Sequence, residues 1–357
     1  MKQFYILGRN PKLSRAEIFS YLEARDLNFN ELIFDSNLLV IESDFKIPIQ
    51  QLGGSIYSGD ILFEGKMNDF EEYLEENEII ESDKFSYSVF GNIEPDLFKS
   101  KFKNEKKKAV LKHGHKRINF QSGEYDSLAK TNFSMFLYIH KSKVYFGLVN
   151  QKYDYTQVKK RDMQKTVRRE ALAISPRLSK ILINLSGAKK SDLLLDPFCG
   201  VGSILLEAMI LGINVYGIDK DSSAIKDAEK NIKWLKSEFD IFAKHELTNI
   251  DSRGAPRINC DAVVSESPLG KLQKHKVSDK EAKKIISDFE ALIIPILRRL
   301  KVVKKRNARI AITFPKVKGF SVDYRKVCER IGLILVLGPI EESRPGQFIS
   351  REIIVIR

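Results

Sequence analysis

The 357-residue chain carries 60 Lys and Arg against 47 Asp and Glu, a formal charge of +13, and is 43% hydrophobic. This is longer than one average domain and can bury more than one core, and the positive excess points to a polyanionic partner. Cys199, Cys260 and Cys328, far apart and odd in number, give no disulfide framework. The apolar run in MKQFYILGRNPK is too short for a signal peptide and no stretch approaches a membrane span, so a soluble cytoplasmic protein is expected.

In chain order, residues 3–7 alternate as a strand. Leu-Ser-Arg-Ala-Glu at 13–17 reads as a capping box, with Ser14 as N-cap and Glu17 three residues on, which predicts a helix over 15–24. Residues 31–43 read as a hairpin turning at Asp35-Ser36-Asn37, and 53–64 as another strand. Residues 1–65 thus form a small α+β unit. An acidic amphipathic helix, a strand at 85–90, a lysine-rich helix over 97–112 and strands at 133–140 and 143–149 form a second α+β module over 66–152. Residues 153–175 are polar and basic, lack an apolar period, and read as a linker.

From residue 176 to 357 helices and strands alternate, with helices at 177–185, 203–211 and 222–235. Strands fall at 193–195, 214–218, 262–265, 309–314, 333–337 and 352–356. This predicts an α/β, doubly wound, mostly parallel sheet in which the last two strands form an antiparallel edge pair.

The most informative string is LLLDPFCGVGSILLEA at 193–208, followed by VYGID at 215–219. A strand ends at Asp196, Gly200 and Gly202 allow a tight turn and a close ligand, and a helix N-terminus opens at Ser203 to face an anionic group. Asp219 ends the next strand, where its carboxylate can accept from two ribose hydroxyls. A dinucleotide fingerprint would want glycine at Leu205, and a phosphate-cradling loop would need a Gly-Lys-Ser/Thr ending that is absent. Asp196-Pro197-Phe198-Cys199-Gly200-Val201-Gly202-Ser203 is instead similar to motif I of class I methyltransferases. An adenine-binding acid after the third strand is either Glu246 or Asp251, with Asp251 favoured.

The strand at 262–265 runs into Ser265-Glu266-Ser267-Pro268-Leu269-Gly270, at the end of the sheet where ligands gather. Amino-methyltransferases carry Asp/Asn-Pro-Pro-Tyr/Phe here. An exocyclic amine has its lone pair delocalised into the ring, so acceptors must hold its N–H bonds to aim that lone pair at the methyl. Glu266 takes the acidic position, Ser267 replaces the first proline, Pro268 keeps the second, and Leu269 replaces the aromatic.

Lys160-Arg161-Asp-Met-Gln-Lys165, Ile174-Ser-Pro-Arg-Leu-Ser-Lys180 and Ile183-Asn-Leu185 resemble segments of the archaeal and eukaryal tRNA guanine-10 N2-methyltransferase family. So do YILGRNPKLSRAE at the start, and Arg344-Pro-Gly-Gln and Arg351-Glu-Ile near residue 350. The resemblance implies a ferredoxin-like domain (1–65), a THUMP RNA-binding domain (66–152), a basic linker (153–175) and a Rossmann-like methyltransferase domain (176–357). It implies transfer of methyl from S-adenosyl-L-methionine to the N2 of a tRNA guanosine without a metal. It carries the donor-binding role onto Asp196, Gly200, Gly202 and Asp219 and the amine-holding role onto Glu266 and Pro268; Pro197, Phe198 and Asp251 are counted with the donor site by position, and Ser267 with the catalytic turn. A small activating subunit is compatible with it. The alternatives are another tRNA or rRNA guanosine, or a catalytically silent RNA-binding homologue.

Candidate RNA contacts are Lys106, Lys107 and Lys112 in the basic module, Lys160 and Arg161 in the linker, and Leu269 at the acceptor site. A lysine-rich helix is as often a plain solvated face. His113 and His115 lack Cys, Asp or Glu at metal spacing and read as part of the basic patch.

Overall fold

The computed structural model describes residues 1–92, 96–112, 131–169, 174–268, 277–343 and 349–357, which fall into two compact units. Met1–Arg15, Leu27–Gln50 and Gly54–Tyr153 make the first. Its strands and helices are β1 (Lys2–Leu7), the first residues of α1 (Pro11–Glu23), β2 (Phe29–Asp35), β3 (Leu38–Ser43), β4 (Ser55–Gly65), α2 (Met67–Glu76), β5 (Lys84–Gly91), α3 (Asp96–Asn104), β6 (Lys108–Leu111), β7 (Phe133–His140) and β8 (Lys143–Lys152). One sheet in the order β2-β3-β1-β4-β8-β7-β5-β6 runs through the unit. The two expected modules share it, because β4 pairs with β8 from Tyr57 opposite Lys152 to Gly65 opposite Val144. Phe70 and Leu74 of α2 and Phe98 and Phe102 of α3 pack with Phe85, Leu137 and Phe146 of the sheet. Burying each such side chain contributes about 1.5–3 kcal/mol.

The predicted hairpin forms with Ser36 at φ 52° in its turn. Two other elements differ from expectation. α1 starts at Pro11, because proline suits the first helical position and Asn10 caps it by accepting from the Leu13 N–H at 3.2 Å. Ser14 therefore lies inside the helix, where its hydroxyl donates to the Asn10 carbonyl at 2.9 Å. α3 ends at Asn104 rather than Lys112: Lys106 adopts φ 57°, and the chain turns into β6, parallel to β5.

The second unit comprises Ala16–Asp26, Gln51–Gly53 and Asp154–Arg357. It contains α4 (Tyr155–Met163), α5 (Pro176–Leu185), β9 (Leu193–Asp196), α6 (Ser203–Ile210), β10 (Asn214–Asp219), α7 (Ser222–Glu238), β11 (His245–Asn249), β12 (Cys260–Glu266), α8 (Asp279–Val303), β13 (Lys304–Val317), β14 (Phe320–Ser321), α9 (Tyr324–Ile331), β15 (Leu335–Glu342) and β16 (Ile349–Ile356). The expected linker thus holds a helix, α4, capped by Asp154, which accepts from the Thr156 N–H at 2.9 Å. The sheet order is β11-β10-β9-β12-β13-β16-β15. Neighbours from β11 to β13 pair in parallel, and β16 runs antiparallel between β13 and β15. Strand order reverses between β9 and β12, so their carboxyl ends, Asp196 and Glu266, flank the point where such sheets bind ligands.

Candidate active site

The loop after β9 is built by its own side chains and two glycines. Gly200 (φ 51°) and Gly202 (φ 87°) take left-handed conformations, and Gly202 is the N-cap of α6. A Cβ placed on Gly200 would meet nothing within 4 Å, so the loop leaves open space there. Asp196 lies beneath the loop, 1% exposed. Its Oδ1 accepts from Ser265 Oγ at 2.6 Å and from the Phe198 N–H at 3.1 Å. Burial, with the nearby charges of Asp219 and Glu266, pushes its pKa up to about 7. Pro197 is buried, its carbonyl accepting from Ser252 Oγ, and Phe198 is half-buried against the core of the unit. Burial also raises the Cys199 thiol far above its ordinary value, which keeps it unreactive.

Asp219 joins the loop to the second strand: Oδ2 accepts from the Gly200 N–H at 3.0 Å and Oδ1 from the Asp221 N–H at 2.9 Å. A carboxylate has about four lone-pair sites, so two remain for ribose hydroxyls. Asp251 stands just past the end of β11, whereas Glu246 is an exposed residue within that strand, so position favours Asp251. Its side chain pairs with Arg253 at 2.7 Å, which holds its pKa down at about 2.

The acceptor side is anchored by residues distant in sequence. Glu266 Oε1 accepts from Arg351 Nε at 2.5 Å, with side-chain exposures of 13% and 5%. Ser267, 1% exposed, donates its N–H to Thr313 Oγ1 at 3.2 Å and its hydroxyl to the Thr313 carbonyl. A proline at 267 would have neither donor, so these two hydrogen bonds to Thr313 hold the turn. Pro268 follows and is exposed. Leu269, Arg344-Pro-Gly-Gln, His113 and His115 lie outside the described residues.

Two expected RNA contacts are overturned. Arg161 is 5% exposed and grips the buried Glu207 of α6 through two bonds, Nε at 2.6 Å and Nη2 at 3.0 Å. Such a guanidinium is not available to a phosphate. Lys107 is also turned inward: its side chain is 4% exposed, bonded to Glu78 at 2.6 Å and to the Ile80 carbonyl. Lys160 is half-buried and paired with Glu238 at 2.7 Å, while Lys106 and Lys112 are exposed. Arg161 and Glu207 are 46 residues apart, so their pairing carried no local signal.

Residues 164–321 match the family of RMKL-like methyltransferase domains, and residues 59–230 match a DNA methylase family. The chain is 34% identical over 99 residues to a tRNA (guanine(10)-N2)-dimethyltransferase of Methanothermobacter thermautotrophicus, covering 28% of either chain. It is 24% identical over 274 residues to the enzyme of that name from Pyrococcus abyssi, covering 74% of this chain and 77% of the relative. Among solved structures, TrmN from Thermus thermophilus superposes with a TM-score of 0.54 at 14% identity, covering 100% of this chain and 99% of that one. The strand order, the glycine loop and these matches agree: the second unit has the class I, Rossmann-like methyltransferase fold.

Proposed function

We propose that the protein is an S-adenosyl-L-methionine-dependent tRNA methyltransferase acting on the exocyclic N2 of a guanosine, position 10. The observation that carries this is the Ser265–Asp196 hydrogen bond of 2.6 Å, which ties the end of the acceptor strand to the glycine loop across the switch point. The loop fits the donor: open space over Gly200, a helix N-terminus for a carboxylate, and Asp219 for a ribose. Bound there, S-adenosyl-L-methionine supplies an electrophilic methyl on a sulfonium. Glu266 accepts an N–H of the amine and turns its lone pair towards that methyl, and the turn at Ser267 and Pro268 supplies a firm backbone wall.

The N-terminal unit is the RNA-gripping part, its strands divided between a ferredoxin-like and a THUMP portion, with Lys106 and Lys112 at tRNA phosphates, and Lys160 of the second unit adds a further phosphate contact. No helix among the described residues is long and apolar enough to cross a membrane, and a cytoplasmic setting suits a tRNA substrate. The test is incubation of the protein with labelled donor and unmodified tRNA transcript, followed by digestion to nucleosides. N2-methylguanosine or its dimethyl form is expected. Absence of product although donor and tRNA both bind would instead identify a silent RNA-binding homologue.

A further inference from the structure

Glu266 and Arg351 are 85 residues apart in the chain, yet their contact is set by strand register. Glu266 lies opposite Thr313 on β13, Thr313 opposite Ile353 on β16, and Arg351 one pleat further along β16. Side chains of alternate strand residues share a face, so Glu266, Thr313 and Arg351 project from the same side of the sheet. The guanidinium reaches across β13 to the carboxylate. Its backbone is fixed on both flanks, by Pro315 of β13 and Glu342 of β15.

Charge gives the contact a purpose. Asp196, Asp219 and Glu266 bring three carboxylates to this end of the sheet, and the latter two act electrostatically on the first. A carboxylate that is to accept from an amine must present a lone pair in a fixed direction. A planar, permanently charged guanidinium on a rigid strand sets that direction for Glu266. We infer that Arg351 is a positioning residue, whose guanidinium orients the Glu266 carboxylate as the acceptor for the substrate amine. This rests on the assignment of Glu266 as the amine-holding acid. Arg351 acts through Glu266 and needs no contact with the donor or the base.

The experiment compares Arg351→Gln and Arg351→Lys with Glu266→Gln in the full-length protein. It measures kcat and KM with tRNA transcript, donor affinity by calorimetry and tRNA affinity by filter retention. In Arg351→Gln, kcat falls about 100-fold while both affinities stay within about twofold, because only the reacting geometry is disturbed. Arg351→Lys keeps the charge but not the fork and recovers part of the loss, to about tenfold below wild type. A kcat within twofold of wild type in Arg351→Gln overturns the inference, as does a loss appearing wholly as weaker donor or tRNA binding. If Arg351→Gln does not fold, Arg351→Lys decides: undiminished kcat there overturns the inference. Full activity in Glu266→Gln removes the acceptor assignment itself, whereas an inactive Glu266→Gln beside a wild-type-like Arg351→Gln removes only the role given to Arg351.

Discussion

Ser265 on β12 donates its hydroxyl to Asp196 at the end of β9, and both residues are buried. The bond joins the two strands that part at the switch point, so the glycine loop and the acceptor turn are fixed relative to each other. Ser265→Ala leaves the carboxylate short of one donor and is expected to destabilise by about 1–3 kcal/mol. Urea unfolding monitored by circular dichroism measures this, and a change below a few tenths of a kcal/mol would deny the bond its structural part.

Asp196 also sets a pH signature. Its pKa of about 7 lies above the ordinary carboxylate value, so between about 4 and 7 the folded protein holds a proton that the unfolded chain has released. The contribution of this group to stability is therefore greatest below pH 4 and declines as pH rises to 7. In Asp196→Asn this decline disappears, and the difference in unfolding free energy between variant and wild type drifts across that window. A pH-independent difference would place the pKa elsewhere.

Asp219 has its main consequence at the donor. Asp219→Ala removes the acceptor for the Gly200 N–H together with the acceptor proposed for the ribose, and donor affinity is expected to fall by about 10- to 100-fold, the value of hydrogen bonds to a charged group. Isothermal titration with S-adenosyl-L-methionine reads it, and unchanged affinity would move the donor away from β10.

Cations separate into two groups with opposite behaviour. Arg161→Met removes the two-bond guanidinium partner of the buried Glu207 and leaves it Lys180 at 3.8 Å, costing about 3 kcal/mol of stability. Lys106→Ala, at an exposed side chain, leaves stability within about 0.5 kcal/mol but lowers the salt dependence of tRNA binding by about one ion. Thermal unfolding and a salt titration of binding, run on both variants, distinguish these outcomes.

The β9–loop–α6–β10 segment was legible because its signals are local: an apolar run, two glycines, a helix start and an acid one strand later. Strand β7 is likewise found at the expected residues, 133–140. What escaped was set by partners far away. Ser14 and Glu17 matched a capping box, but Glu17 is fully buried and accepts from the Gly53 N–H at 2.6 Å and from Asn184 at 2.7 Å. Residues 155–163 lacked apolar periodicity because the side chain that α4 buries is that of Arg161. The Asp-Tyr-Thr cap at 154–156 was the available sign of that helix. The partners of Glu266 and Ser267, 85 and 46 residues downstream, leave no trace in spacing.

The place of β16 separates the order of assembly from the order of synthesis. β15 is made first, but its ladder in the sheet is to β16, which must itself zip onto β13. Until that late strand docks, the nascent unit has its glycine loop and five of the seven strands in the sheet order, while the edge of β13 stays open to stray pairing. Because Arg351 arrives on β16, the polypeptide gains the cation beside its acceptor carboxylate and the closure of that edge in a single folding event.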